Sequence, residues 1–196
     1  FCTILMINIL PFDGECYYLG KIFSEEKANG YFDQLRKEIP WKQDELVLFG
    51  KQITTRRLVA WYGDEGKNYR YSGKMKTPLA WNKELLELKN LIENKCNTKF
   101  NACLLNLYHN GEEGMSWHSD NEKELGKEPI IASLSLGEER RFCFRHKKAN
   151  EKTEIILENG SLLIMKGKTQ EHWLHSLPKA AKKEGIRINL TFRNIL

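Results

Sequence analysis

From residue 102 onward the chain breaks into short apolar or alternating segments, each bounded by glycine or by charged residues. They run over 102–108, 130–136, 141–145, 154–157, 161–165, 172–177 and 186–192. Many short strands in close succession, with turn residues between them, read as a β-sandwich or barrel. The last segment, Arg187-Ile188-Asn189-Leu190-Thr191-Phe192-Arg193, alternates strictly. Ile188, Leu190 and Phe192 share one face, and Arg187, Asn189, Thr191 and Arg193 share the other. An ordinary half-buried strand would turn that polar face to water. Two helical stretches come earlier. Over 24–38 the positions Ala28, Tyr31, Phe32, Leu35 and Ile39 keep helical spacing, with Ser24 as N-cap and Pro40 as the stop. Over 82–96 the buried face is Leu85, Leu88, Leu91 and Ile92. A chain of 196 residues, 41% of them hydrophobic, suffices for one α+β domain with a substantial core.

The chemistry concentrates in the stretch from Asn106 to Glu122, which turns at Gly111 and Gly114 and closes on His118-Ser119-Asp120. An imidazole and a carboxylate two residues apart on extended backbone point to the same side and can hold one ion. A third ligand is needed, and His175, in another strand-like segment, is the candidate. Two histidines and one carboxylate form the facial triad of non-haem Fe(II) oxygenases. The two arginines of the last strand are what a buried dicarboxylate needs, because each guanidinium can fork onto a carboxylate.

His-x-Asp, a distant His and then Arg-x-Asn-x-Thr-x-Arg together resemble the AlkB-type dioxygenases, which use iron and 2-oxoglutarate. The likeness runs from about Phe49 to Arg193. It implies a double-stranded β-helix, or jelly roll, with helices packed on one outer face. Residues 41–80 would form a nucleotide-recognition segment and residues 100–196 the catalytic core. The implied metal is Fe(II), held by His118, Asp120 and His175, with 2-oxoglutarate and O2 as cosubstrates. Arg187 would take the distal carboxylate of 2-oxoglutarate, and Arg193 would lie near the carboxylate at the metal. Asn106 and Tyr108 match the family's Asn-x-Tyr and would reach the same cosubstrate; Asn189 and Thr191 would line its pocket.

The implied reaction oxidises a methyl group on a base nitrogen, releasing formaldehyde, while 2-oxoglutarate becomes succinate and carbon dioxide. The order Phe49-Gly50-Lys51, Arg57, Tyr62-Gly63-Asp64 and Tyr69-x-Tyr71-Ser72-Gly73 is most similar to the branch that prefers double strands. There Phe49, beside Gly50, would wedge into a DNA stack and fill the gap left by a flipped base. Tyr71 would stack on the methylated base opposite His118, with Tyr69 offering a hydroxyl and with Arg57 and Ser72 nearby. Asn121 stands where family members often carry an acid; it keeps an acceptor and adds a donor. Glu122 remains acidic and would support base or metal-shell contacts. An RNA or tRNA demethylase of the same fold, or a sensor of damaged bases without activity, are the rivals.

Net charge is +5. That excess is compatible with nucleic acid, and a run of bases (Arg140, Arg141, Arg145, Lys147, Lys148, Lys166, Lys168, Lys179, Lys182, Lys183) would contact phosphate. The five cysteines are odd in number and include no Cys-x-x-Cys, which argues against a disulfide framework or a cysteine zinc site. The apolar start, 1–10, lacks a basic lead and a small-residue cleavage site and is too short to span a membrane. Phe1 is no initiator, so a trimmed start, or one nearer Met6, is expected. The chain is expected to be a monomer without a membrane partner, not secreted, and cytoplasmic in a bacterium or nuclear in a eukaryote.

Overall fold

The computed structural model describes residues 7–48, 51–67, 69–71 and 74–196, with backbone alone at 45–48, 51–53, 69–71 and 74–76. In chain order, strand β1 (Glu15–Lys21) leads into helix α1 (Glu25–Glu38). Strands β2 (Lys42–Leu48) and β3 (Lys51–Gly63) follow, then β4 (Tyr69–Tyr71), β5 (Lys74–Lys76) and helix α2 (Lys83–Cys96). The remainder is mostly strand: β6 (Ala102–Tyr108), β7 (Met115–His118), β8 (Ile131–Gly137), β9 (Arg140–His146), β10 (Lys152–Leu157) and β11 (Ser161–Lys166). A single helical turn, α3 (Thr169–His172), precedes β12 (Trp173–Leu177) and β13 (Arg187–Arg193).

These strands form two main sheets. The larger has seven strands in the order β1-β11-β8-β13-β6-β3-β2; the smaller has four, β10-β9-β12-β7. All ladders are antiparallel, and β13 lies between β6 and β8. The jelly-roll expectation is met, with helices on one outer face of the larger sheet. The alternation of β13 explains the layering. Ile188, Leu190 and Phe192 join one core with Ala28 and Leu35 of α1 and Leu85, Leu88 and Ile92 of α2. Burying each such side chain contributes roughly 1.5–3 kcal/mol, enough to fix which face of β13 meets the helices. The other face, Arg187, Asn189, Thr191 and Arg193, then points between the sheets. It is buried as well, so β13 is not the half-solvated strand that its polar face suggests. Buried polar groups persist only with partners or a ligand.

Both predicted helices form. Ser24 caps α1 by accepting from the Lys27 N–H at 3.3 Å. Asn82 caps α2 by accepting from Leu85 N–H at 2.9 Å, and α2 ends at left-handed Asn97 (φ 48°). Strands β1 to β5 and β7 were not expected. Strand β1 is a half-buried edge paired with β11, and β7 is an edge strand of only four residues, too short for its alternation to stand out. Segment 41–80 is continuous with the barrel, because β3 pairs with β6 in the larger sheet.

Candidate active site

Strands β7 and β12 are neighbours, and their register places His175 directly opposite His118. The two rings therefore lie side by side, with centroids 4.3 Å apart. Asp120 follows β7 by two residues and turns back to the same point, its Oδ1 lying 3.9 Å from His118 Nε2. One atom from each of His118, Asp120 and His175 can be chosen so that all three fall within 4.8 Å of one another. The surroundings leave the right atoms open. His118 Nδ1 donates to Ser116 O at 2.8 Å, so the lone pair sits on Nε2, facing Asp120. Asp120 Oδ2 accepts from Arg193 at 3.1 Å, which leaves Oδ1 free. Asp120 N–H donates to Gln170 Oε1 at 2.9 Å and fixes the turn. Burial alone would raise the Asp120 carboxyl, but Arg193 and the two imidazoles outweigh it and hold it below its usual range. Burial, then His118, push His175 down to about 3, so its ring is neutral. Its buried Nδ1 has no hydrogen-bond partner among the described residues. Two imidazoles and a carboxylate suit a divalent first-row metal.

A second cluster, Asp13, His146 and His172, is equally close-packed. Its chemistry is different. His146 Nδ1 accepts the N–H of Ala149 at 2.7 Å, which puts the ring proton on Nε2, the atom 3.4 Å from Asp13. That nitrogen makes no hydrogen bond among the described residues, and a protonated nitrogen offers a metal no lone pair.

Beside the triad lies a cavity of about 350 Å³ walled by both sheets. The larger sheet contributes Asn106 and Tyr108 from β6, Ser133 from β8, and Arg187, Asn189, Thr191 and Arg193 from β13. Register explains the grouping, since Arg187 faces Tyr108 and Asn189 faces Asn106. Arg187 is buried over the Tyr108 ring at 5.4 Å and donates to Ser135 Oγ at 3.0 Å. Its Nε has no hydrogen-bond partner among the described residues. Burial lowers its pKa to about 10, which keeps it charged at neutral pH. Among the described residues no carboxylate pairs with it, and a lone buried cation costs several kcal/mol. This end of the cavity is built for an anion. Asn189 is already engaged: its amide donates to Ser133 Oγ and Leu134 O at 2.8 and 3.1 Å and accepts from Thr191.

The remaining expected residues divide. Glu122 lines the cavity and buries an unpartnered Oε2, whereas Asn121 is exposed and outside the lining. Arg57 is not on an open face. It is buried, donating to Asn106 Oδ1 at 3.1 Å and pairing with Asp44 at 3.5 Å. Arg193 pairs with Asp120 of the triad at 3.1 Å, at the metal end of the cavity where it was expected. Tyr69 and Tyr71 belong to β4, which is described by backbone alone; Phe49, Gly50 and Ser72 lie outside the described residues. Of the basic run, Arg140 is no surface residue. It is buried, and its guanidinium donates to the carbonyls of Asn110, Glu113 and Pro178, stapling the loop after β6 to the end of β12. A Cβ on Gly111 or Gly114 would collide with the Ala180 or Leu177 carbonyl on that seam, which explains both glycines. Lys147 donates to Ser119 Oγ and Gln170 O at 3.2 and 2.8 Å, bracing the ligand turn.

Sequence reasoning missed Ser133, Ser135, Gln170 and Asp44. Only the serines left a signal, alternating with Ala132, Leu134 and Leu136.

Comparison with known proteins places this arrangement. Residues 15–193 match the model of the 2OG-Fe(II) oxygenase superfamily. The alpha-ketoglutarate-dependent dioxygenase alkB homolog 3 of Bos taurus is 41% identical over 180 residues, covering 87% of this chain and 62% of its own. The DNA oxidative demethylase ALKBH2 of Homo sapiens is 36% identical over 193 residues, covering 93% of this chain and 74% of its own. The chain thus spans less than two thirds of the homolog 3 proteins from cattle and human. The solved structure of OsALKBH1 shares the fold, with a TM-score of 0.59 at 18% identity over 91% of this chain and 97% of that one. The chain belongs to the 2OG-Fe(II) oxygenase superfamily and, within it, to the AlkB-type dioxygenases, whose metal is Fe(II) and whose cosubstrates are 2-oxoglutarate and O2.

Proposed function

We propose that this protein removes methyl groups from base nitrogens in DNA, of the 1-methyladenine and 3-methylcytosine type, with double strands favoured. The observation that carries the reading is one cavity holding His118, Asp120 and His175 at one end and the uncompensated Arg187 at the other. Bound Fe(II), 2-oxoglutarate and O2 supply an oxidant that puts one oxygen atom into the methyl C–H bond, and the hydroxymethyl product releases formaldehyde. The chain's own residues orient and exclude. His118, Asp120 and His175 hold the metal, and Arg193 and Ser116 aim Asp120 and His118 at it. Arg187 takes the distal carboxylate of the cosubstrate, with Asn106 and Tyr108 beside it. Glu122, with its buried oxygen on the cavity wall, accepts from the exocyclic amine of the base. The printed name of the human relative, a DNA oxidative demethylase, supports the substrate class.

The test is mass spectrometry of a 1-methyladenine oligomer incubated with protein, ferrous iron, 2-oxoglutarate and oxygen, beside the RNA of the same sequence. Loss of one methyl from DNA with matching succinate is expected; faster loss from RNA would move the reading to RNA. Asp120→Ala should abolish iron binding and turnover while the fold persists. Full turnover of that variant at saturating iron would reassign the ligands. Duplex preference rests on Phe49. Stacking of an aromatic on bases is worth roughly 1–3 kcal/mol, so Phe49→Ala should slow duplex repair about tenfold to a hundredfold and single-strand repair little. Equal losses on the two substrates would remove the wedge.

A further inference from the structure

Two asparagine amides border the cosubstrate end of the cavity, and their hydrogen-bonding states are opposite. Asn189 has spent its NH2 on β8. Asn106 accepts at Oδ1 from Arg57 Nε at 3.1 Å, and its NH2 has no hydrogen-bond partner among the described residues. An asparagine side chain can rotate by half a turn and exchange its donor and acceptor ends. Beside a dianion the two states are not equivalent, since NH2 attracts a carboxylate and the carbonyl oxygen repels it. Arg57 removes the ambiguity. A guanidinium can face Oδ1 but would clash electrostatically with a second donor, so it favours the rotamer that leaves the NH2 free.

Arg57 is itself held from behind by Asp44, with both side chains buried. The β2–β3 register is irregular at this point. Gln43 pairs with Leu58 but Glu45 with Thr54, so Thr55, Arg56 and Arg57 oppose Asp44 alone. Bulges of this kind re-aim side chains and occur beside active sites. Here the irregularity brings Arg57 opposite Asp44, and Arg57 reaches across to Asn106 on β6. We infer that Asp44 and Arg57 are positioning residues that orient the Asn106 amide with its NH2 toward the 2-oxoglutarate carboxylates. This rests on the assignment of the cavity to 2-oxoglutarate, and it takes Arg57 away from direct contact with nucleic acid.

The experiment is a double-mutant cycle on 2-oxoglutarate binding, measured by calorimetry on the Mn(II)-loaded protein without nucleic acid. Arg57→Met should weaken 2-oxoglutarate binding about tenfold, and Asn106→Ala should weaken it by at least as much. The double variant should be no weaker than Asn106→Ala alone, because Arg57 acts through Asn106. Arg57→Lys, which still donates, should recover part of the loss. Asp44→Asn should weaken binding less than Arg57→Met, and it serves as the second variant if Arg57→Met fails to fold. Additive losses in the cycle would overturn the inference. So would unchanged 2-oxoglutarate affinity accompanied by weaker binding of a methylated oligomer, which would make Arg57 a substrate contact. Failure of all variants and of the parent protein to bind 2-oxoglutarate would instead sink the cosubstrate assignment, and this inference with it. A protein that binds 2-oxoglutarate but leaves methylated DNA unchanged would count against the demethylase reading alone.

Discussion

Arg187 is a buried cation whose strongest contact is a serine hydroxyl, and that imbalance makes its role testable. A carboxylate arriving there gains two parallel bonds from the fork, whereas lysine would keep the charge and lose the geometry. Hydrogen bonds to charged groups contribute about 1.5–3 kcal/mol. Arg187→Lys should therefore raise the 2-oxoglutarate requirement by roughly ten- to a hundredfold while iron binding stays unchanged. Titrating 2-oxoglutarate into the Mn(II) form checks it, and an unchanged affinity would place the anchor elsewhere. At this scale the sequence was most legible where partners are close along the chain. His118 and Asp120 are two residues apart, near enough in sequence to be paired by spacing, although Asp120 lies in the turn just past β7. His175 is far along the chain, and its partnership with His118 depends on a β7–β12 ladder that no local pattern announces. Gln170 and Asp44 were not legible. Each acts on a residue distant along the chain, and nothing near either residue in the sequence differs from an ordinary solvated polar side chain.

Among the elements, those with a strong apolar period were read correctly, and α2 shows what the period leaves out. Leu85, Leu88 and Ile92 fix its buried face, but its end is set by Glu93, buried within the last turn. One carboxylate oxygen accepts the Phe100 N–H at 2.9 Å, and the other meets Lys99 at 2.8 Å. The helix is thereby tied to the start of β6. Burial alone would raise the Glu93 carboxyl; Lys99, the Phe100 N–H and Lys89 outweigh it, and the net shift is downward. A depressed carboxyl contributes stability above its unfolded pKa, and that contribution is lost as pH falls through the lower folded value. Glu93→Gln keeps an acceptor but loses the charge, so it should be less stable by about 1–2 kcal/mol at pH 7. The gap should narrow as pH falls below the ordinary carboxylate range and close once the depressed folded carboxyl is itself protonated. Urea midpoints across that range check it, and a gap independent of pH would mean that packing, not charge, was lost. Strands β1 and β7 escaped the sequence reading for the converse reason. Both are edges, and a short or half-buried edge strand is held by its neighbour's ladder without a long apolar run of its own.

Across the whole molecule, the catalytic cavity is a seam between two sheets. The imidazoles come from the smaller sheet, on β7 and β12, and Arg187, Asn106 and Tyr108 come from the larger, on β13 and β6. Asp120 already bridges the two by pairing with Arg193. An occupant that touches both walls stabilises their packing by mass action, by about 2.7 kcal/mol at a hundredfold excess over its dissociation constant. For a chain of this length that corresponds to a rise of roughly 5–10 °C in the unfolding midpoint. Metal alone engages one end of the seam, and 2-oxoglutarate without metal has only the Arg187 end to hold. The midpoint should therefore rise with Mn(II), move little with 2-oxoglutarate alone, and rise with both by more than the two separate shifts combined. Asp120→Ala should abolish the metal shift and the excess together, because it removes a ligand and leaves Arg193 facing the metal site. Arg187→Lys should spare the metal shift and reduce only the excess. Thermal unfolding followed by circular dichroism, under argon so that no turnover intervenes, separates these cases. Equal 2-oxoglutarate shifts with and without Mn(II) would show that the two ends of the cavity bind independently, and the seam would then hold two sites rather than one.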